Sequence, residues 1–117
     1  MAKVFHVLTP EEKEKYINNN IYEPLSLGNV GFIHLSKADQ IQSVISNFYI
    51  QESQLILWRI SESVLEDKLV YEPPLEAPNS GVKFPHYYKN LDISLVEKTF
   101  TIDKINDVFI LPDDLLE

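Results

Sequence analysis

The stretch Gly28-Asn-Val-Gly-Phe-Ile-His-Leu-Ser36 contains two of the three glycines of the chain, followed by a run typical of a β-strand. In a strand, successive side chains point to opposite faces of the sheet. One face would carry the apolar pair Ile33 and Leu35, and the other would carry Phe32, His34 and Ser36. The stretch therefore predicts a strand with one face in the core and a second, polar face that suits the wall of a cleft.

The segment before this stretch predicts a strand followed by a helix. Residues 3–8 alternate, with Val4, His6 and Leu8 on one face. The sequence Thr9-Pro10-Glu11-Glu12 then supplies an N-cap residue, a proline at the first helical position and acids in the first turn. We expect this helix to end near Ile17, and residues 21–29 to form a connector.

The segment after the stretch predicts the most regular helix of the chain. Ser36 and Asp39 have the spacing of a helix N-cap and its acidic partner, which is similar to a capping box. An apolar stripe with helical spacing follows at Ile41, Val44, Ile45 and Phe48. We therefore expect a helix over about residues 37–49, with Ser36 as its cap.

The second half of the chain predicts strands separated by loops. Residues 54–60 are nearly continuously apolar, which is typical of a central strand covered on both faces. A short helical turn capped by Ser61, strands at 69–72, 94–102 and 108–111, and a loop at 73–81 complete this part. We expect one α+β domain over residues 1–111, with a curved, mainly antiparallel, split sheet and two packed helices, and a frayed acidic tail over 112–117.

Composition narrows the range of functions. The 117 residues include ten basic and eighteen acidic ones, for a net charge of −8, which disfavours nucleic acid as a partner. A small anionic ligand stays compatible with this charge, because backbone amides can bind it locally. The chain has no cysteine, no apolar run near the roughly 20 residues of a membrane span, and no signal-peptide pattern. We expect a cytoplasmic protein without membrane contact.

Three histidines, His6, His34 and His86, are the main candidates for chemistry. Imidazole both donates and accepts hydrogen bonds, and its ordinary pKa lies near neutrality. The alternative for each is a structural histidine bonded to its neighbours. Because the three lack the short spacing of zinc ligands, we expect no metal site. Glu72, at a predicted strand end, is either an ordinary acid of the surface or a carboxylate of the pocket.

Several fragments together point to a family. They are Phe5-His6, Tyr22 with Pro24-Leu25-Ser26-Leu27, Gly31-Phe32-Ile33-His34, and Phe84-Pro85-His86-Tyr87-Tyr88. In this order they resemble the small bacterial family known as domain of unknown function nine-five-two, over about residues 4–96. The resemblance implies an ADP-ribosyltransferase-like fold, in which a split, curved sheet surrounds a cleft for nicotinamide dinucleotide.

The resemblance also implies roles for individual residues. His6 on the first strand would hold the dinucleotide, and His34 with Ser36 would contact its nicotinamide ribose. A later polar group would stabilise an oxocarbenium-like transition state. The catalytic candidates are thus His34, His86 and Glu72. The cofactor-binding candidates are His6, Tyr22, Ser26, His34, Ser36 and Tyr88, with NAD or an ADP-ribose derivative as the ligand.

Two kinds of function follow from these expectations. The first is a pocket lined by histidines that binds NAD or an ADP-ribose-like small molecule, with or without transferase activity. The alternative is a non-catalytic interaction module with a vestigial pocket, whose acidic surface suits a basic protein partner. Chemistry on RNA terminal phosphates, a third option within the implied superfamily, is disfavoured by the net charge.

Overall fold

The computed structural model describes residues 2–117, which form a single α+β domain with three α-helices and nine β-strands. The helices are α1 (Pro10–Tyr16), α2 (Leu25–Val30) and α3 (Ile41–Phe48). The strands are β1 (Lys3–Leu8), β2 (Ile21–Tyr22), β3 (Ile33–His34), β4 (Gln54–Ser61), β5 (Leu69–Glu72), β6 (Phe84–Tyr87), β7 (Leu91–Asp92), β8 (Val96–Ile105) and β9 (Val108–Phe109).

The strands pair antiparallel in three groups rather than in one continuous sheet. The orders are β1-β4-β8-β9, β2-β7 and β3-β6-β5. A bridge between Phe5 and Ser36 joins the first group to the third, with both backbone hydrogen bonds at 2.8 Å. This bridge continues the chain beyond β3 along the edge strand β1 of the first group.

Strand β4 lies at the centre of the core, as its apolar sequence predicted. Seven of its eight residues are buried, since side chains pack on both of its faces. One face carries Ile56, Trp58 and Ile60 against Tyr22. The opposite face of β4 carries Leu55 and Leu57, which pack in a second cluster with α3. The other buried residues of this cluster include Phe5, Val7, Ile41, Ile45, Phe100 and Ile102. The neighbouring strand β1 shares this burial, with five of its six residues buried.

The predicted first helix is confirmed, because the Thr9 hydroxyl accepts from the amide of Glu12 at 3.1 Å and Pro10 is the first helical residue. The predicted cap at Ser36 is wrong. Ser36 is occupied in the bridge to Phe5, so the helical segment begins later, as a 3₁₀ turn over Ala38–Gln40 that leads into α3. The amide of Lys37 donates instead to the Gln40 side chain at 2.9 Å.

Other local predictions need correction. The expected connector over residues 21–29 contains β2 and α2, so the domain has three helices and not two. The predicted helical turn after Ser61 is two short 3₁₀ segments, Glu62–Val64 and Glu66–Lys68. The strand expected at 94–102 is displaced to Val96–Ile105, because the 3₁₀ turn Ile93–Leu95 occupies its start.

Residues 112–117 contact the sheet through hydrogen bonds and an ion pair. Arg59 donates to the carbonyl oxygens of Leu115 and Glu117 at 3.2 and 2.6 Å, and to the Glu97 carboxylate at 2.7 Å. Lys98 and Asp114 form an ion pair at 2.5 Å. These contacts hold the acidic segment against β4 and β8. None of the helices within residues 2–117 is long and apolar enough to cross a membrane.

Candidate functional site

A cavity of about 680 Å³ opens between β1, β3, β6, α2, α3 and the loop that joins β5 to β6. This volume lies in the range of sites for drug-sized ligands, roughly 300–1,000 Å³. Most of its lining is apolar. Six of the predicted site residues contribute to its wall: His6, Tyr22, Ser26, His34, Ser36 and His86.

The cavity extends from buried histidines at its base to an apolar opening at the surface. His86 and His6 are only 2 % and 8 % exposed, so they lie at the bottom of the cavity. Leu25 and Phe48 also line it, but they are 79 % and 63 % exposed, which places them at its opening. A ligand would therefore meet apolar surface first and imidazole last.

His6 is held inside the protein by hydrogen bonds from both ring nitrogens. Nδ1 lies 2.9 Å from the carbonyl oxygen of His34, and Nε2 lies 2.7 Å from the hydroxyl of Tyr22. Because a carbonyl only accepts, Nδ1 carries the proton, and the Tyr22 hydroxyl donates to Nε2. Burial lowers the pKa of His6 to about 4, so the ring is neutral at pH 7. Both nitrogens are occupied, and neither is available to hold a dinucleotide.

Tyr22 is itself part of this buried arrangement. Its ring is fully buried and packs edge-on against Trp58, with centroids 5.1 Å apart. Burial raises its pKa, so the hydroxyl keeps its proton. The side chain therefore contributes to the cavity wall mainly through its ring, because its hydroxyl is used by His6.

His86 has a different environment, because only one of its ring nitrogens is bonded. Nδ1 lies 2.9 Å from a carboxylate oxygen of Glu72, and Phe32 stacks on the ring with centroids 3.9 Å apart and an interplanar angle of 16°. The Tyr88 hydroxyl donates to the same oxygen of Glu72. The Tyr88 hydroxyl and His86 together lower the pKa of the Glu72 carboxyl. This carboxylate is therefore ionised and acts only as an acceptor.

Glu72 and Tyr88 do not line the cavity. They lie behind His86, on the side of its ring where Nδ1 points. The structure thus brings these two predicted site residues next to the site without exposing them to its interior. A direct contact between the Glu72 carboxylate and a ligand in the cavity is not part of this geometry.

His34 connects the two deeper histidines. Its carbonyl accepts from His6, and its backbone pairs with His86 across β3 and β6. Its ring is exposed toward the cavity and meets the ring of His86 edge-on, with centroids 5.7 Å apart. Burial and the neighbouring His86 lower the pKa of His34, so this ring is also neutral at pH 7.

Several cavity residues were not predicted from the sequence. Two are carboxylates, Glu12 on α1 and Glu76 on the β5–β6 loop. Burial raises the pKa of Glu12. No arginine or lysine is among the cavity-lining residues within positions 2–117, so the wall provides no cationic side chain. The apolar helical stripe could have indicated Phe48, but it predicted a core residue instead.

The arrangement can bind a ligand through apolar surface, hydroxyls and neutral imidazole. It does not concentrate metal ligands: within residues 2–117 there is no cluster of three histidine or acidic side chains that could hold a metal ion. The buried rings of His6 and His86 lie at its base. With the carboxyl groups of Glu12 and Glu76 in the wall and no lysine or arginine among the lining residues described, the cavity disfavours anionic groups.

Comparison with known proteins gives the family of the chain. Residues 7–99 match the family described as Protein of unknown function (DUF952). The chain belongs to the DUF952 family. The predicted family is confirmed, whereas the ADP-ribosyltransferase-like fold that the resemblance implied receives no support from these comparisons. A search of curated proteins gave no match.

Solved structures similar to this DUF952 protein come from protein CC0527 of Caulobacter crescentus. Its crystal structure has 27 % sequence identity and a TM-score of 0.80, with 97 % of each chain covered. A double mutant of CC0527 gives 26 % identity at the same TM-score and coverage. The solution NMR structure gives 25 % identity and a TM-score of 0.75, and covers 93 % of this chain and 91 % of CC0527. These likenesses agree with the α+β fold described above.

Proposed function

We propose that this DUF952 protein binds a small organic molecule in the cavity, through a flat and uncharged ring portion. The observation that carries the proposal is the pair of imidazole rings of His34 and His86, which meet edge-on in a mainly apolar cavity wall. Neutral aromatic rings favour stacking and edge contacts with a flat ligand. Nicotinamide and nucleosides are ligands of this kind.

The residues of the cavity fit NAD only in part. The ring and ribose portions of NAD, or of an ADP-ribose derivative, find apolar walls and the hydroxyls of Ser26 and Ser36. The diphosphate finds no lysine or arginine among the lining residues described, and instead approaches the carboxylates of Glu12 and Glu76. Like charges at short range disfavour such a contact. The cavity therefore suits a nucleoside or nicotinamide better than the whole dinucleotide.

An ADP-ribosyltransferase-like activity has weaker support than binding. Such a reaction gains from a negative group beside the positive charge that develops on the ribose. Glu72 was predicted for this role, but its carboxylate faces Nδ1 of His86 and not the cavity. We therefore propose a binding site and not a catalytic one. The ADP-ribosyltransferase-like fold stays a hypothesis for the family.

A titration followed by NMR of labelled histidine side chains tests this proposal. Nicotinamide, adenosine, ADP-ribose and NAD are added separately to the full chain at up to millimolar concentration. We expect nicotinamide or adenosine to shift the ring signals of His34 and His86, and ADP-ribose and NAD to bind more weakly.

A pair of variants strengthens the test. His34→Ala removes a ring that faces the cavity, so we expect the affinity to fall. Lys89→Ala changes an exposed residue outside the cavity lining and is the matched control. Absence of shifts for all four compounds would refute the proposal and favour the alternative of a protein-interaction module.

A further inference from the structure

One polar atom at the base of the cavity has no partner. His86 is 2 % exposed, and its Nδ1 bonds Glu72, but no side chain or backbone group among the described residues bonds its Nε2. No side-chain nitrogen or oxygen within residues 2–117 is both fully buried and unsatisfied, so the unbonded Nε2 keeps some exposure, and His86 is one of the residues that line the cavity. An imidazole this deep, with one nitrogen open to a cavity, is placed to meet a ligand.

The partner of Nδ1 determines what Nε2 can do. The Glu72 carboxylate only accepts hydrogen bonds, so Nδ1 must carry the proton. In the neutral imidazole the other nitrogen then has a lone pair and no hydrogen. Nε2 of the neutral ring is consequently an acceptor, and the ligand group that pairs with it in this form must be an O–H or N–H donor.

The ring is fixed in this orientation by two further contacts. Phe32 stacks on its face, which sets the ring plane. Tyr88 donates to the carboxylate of Glu72, which fixes that oxygen against Nδ1. A histidine oriented by a carboxylate at one nitrogen can take a proton at the other, because the carboxylate stabilises the imidazolium that forms.

We infer that His86 is the proton-accepting residue of the cavity, and that it binds a hydroxyl or amide N–H of the ligand through Nε2, with Glu72 and Tyr88 as its positioning residues. This inference rests on the proposed function, because it names the polar group of the molecule bound there. In a proton-transfer step, the hydrogen of the ligand moves to Nε2 and the electron pair stays on the donor atom. The positive charge on the ring then faces Glu72, and the proton returns to the ligand or to water afterwards.

His6 is the natural contrast within the same wall. Its Nε2 already accepts from Tyr22, so it has no lone pair left for a ligand. The ring of His34 is exposed and has no bonded carboxylate to select one tautomer. Among the three histidines, only His86 combines depth, a fixed proton position and an open nitrogen.

The test is the tautomer of His86, measured by ¹⁵N–¹H correlation of the imidazole ring in the full chain. We expect Nδ1–H in the wild-type protein. In Glu72→Gln the side-chain amide can also donate to Nδ1, so we expect the Nε2–H form to appear, as happens when a carboxylate that orients a histidine becomes an amide. Glu11→Gln removes an equal charge from an exposed position and is expected to leave the tautomer unchanged.

Binding provides the second readout, with nicotinamide as the probe because its amide supplies N–H donors. Glu72→Gln should weaken its binding about tenfold or more, since two donors would then face each other in a buried site. Glu11→Gln should change the affinity less than about twofold. Equal effects of the two variants would overturn the positioning role of Glu72.

The outcomes separate this inference from the proposed function. Nε2–H in the wild-type protein overturns the inference even if nicotinamide binds. Nδ1–H with no binding of any of the four compounds supports the orientation of His86 and refutes the proposed ligand class. The tautomer is read on the wild-type chain, so failure of Glu72→Gln to fold would leave the test intact.

Discussion

The two buried histidines of the cavity, His6 and His86, differ in how many of their nitrogens the protein uses. His6 bonds through both, to the carbonyl of His34 and the hydroxyl of Tyr22. His86 bonds through one, to Glu72, and leaves the other toward the cavity. A tyrosine accompanies each histidine, but Tyr22 is buried and Tyr88 is exposed. The comparison shows that hydrogen-bond satisfaction, and not residue type or depth, separates a structural histidine from a candidate functional one.

The largest expected effect on stability comes from substitution of His6. His6→Ala removes a buried ring and leaves two buried polar groups, the Tyr22 hydroxyl and the His34 carbonyl, without this partner. We expect the free energy of unfolding to fall by about 4 kcal/mol, measured by urea denaturation at pH 8. His34→Ala, which removes an exposed ring without a side-chain hydrogen bond, should cost less than about 1 kcal/mol. Equal losses would contradict the structural role of His6.

The pH dependence of stability gives the next effect. The unfolded chain binds a proton on His6 below the ordinary pKa of 6.5, whereas the folded chain does so only near 4. The contribution of His6 to stability is therefore fully present above pH 6.5 and is lost as the pH falls toward 4, by about 3 kcal/mol in all and about 2 kcal/mol between pH 8 and pH 5. Urea denaturation across that range measures it.

A variant identifies the group responsible for this slope. In His6→Gln the titrating ring is absent, so the fall in stability between pH 8 and pH 5 should be smaller by about 2 kcal/mol. Measurements stay above pH 5 because Glu72, Glu97 and Asp114, whose carboxyl pKa values are lowered in the folded state, contribute their own loss at lower pH. An unchanged slope in His6→Gln would mean that another group dominates.

The two tyrosines offer a matched pair with a smaller effect. Tyr22→Phe leaves Nε2 of the buried His6 without a donor, so we expect a loss of about 2 kcal/mol. Tyr88→Phe removes an exposed hydroxyl that bonds a partly exposed carboxylate, and should cost less than about 0.5 kcal/mol. Thermal unfolding of the two variants beside wild type compares them directly. A greater cost for Tyr88→Phe would contradict the structural role assigned to the Tyr22–His6 pair.

The smallest effect concerns the turn that leads into β3, the strand that contacts both His6 and His86. Gly31 ends α2 with φ of 87°, a left-handed conformation that glycine adopts without strain. Gly31→Ala should therefore cost about 1 kcal/mol. Gly28 lies inside α2 with open space around it, so Gly28→Ala should be neutral or stabilising by up to about 1 kcal/mol. Chemical denaturation measures the change in the free energy of unfolding, which should be a loss for Gly31→Ala and zero or a gain for Gly28→Ala. A loss of equal size in both variants would argue against backbone strain at position 31.

Local sequence patterns predicted the elements whose signals are local. The capped start of α1 and the apolar run of β4 are cases in which neighbouring residues alone carry the information. The prediction of Ser36 as a helix cap was wrong, because its partner Phe5 is distant in sequence and a strand bridge leaves no local pattern. Helix α2 was missed because it is short, contains glycine and asparagine, and has no side-chain cap.

The candidate site shows the same division. Alternation within predicted strands indicated His6 and His34 as unusual polar positions, and His86 stood out in an aromatic segment; the structure brings all three to one cavity. That convergence depends on long-range pairing, which the sequence pattern does not contain. The opposite orientations of Glu72 and Glu76, one behind His86 and one on the cavity wall, depend on a loop whose composition indicated only that it was a loop.

His34 uses its backbone and its side chain for separate purposes. The carbonyl that anchors His6 is present whatever residue occupies position 34, whereas the ring alone faces the cavity. The fold can therefore tolerate exchange of this side chain at little cost. For protein engineering, position 34 is the place to begin a saturation library that alters ligand choice while the scaffold stays intact.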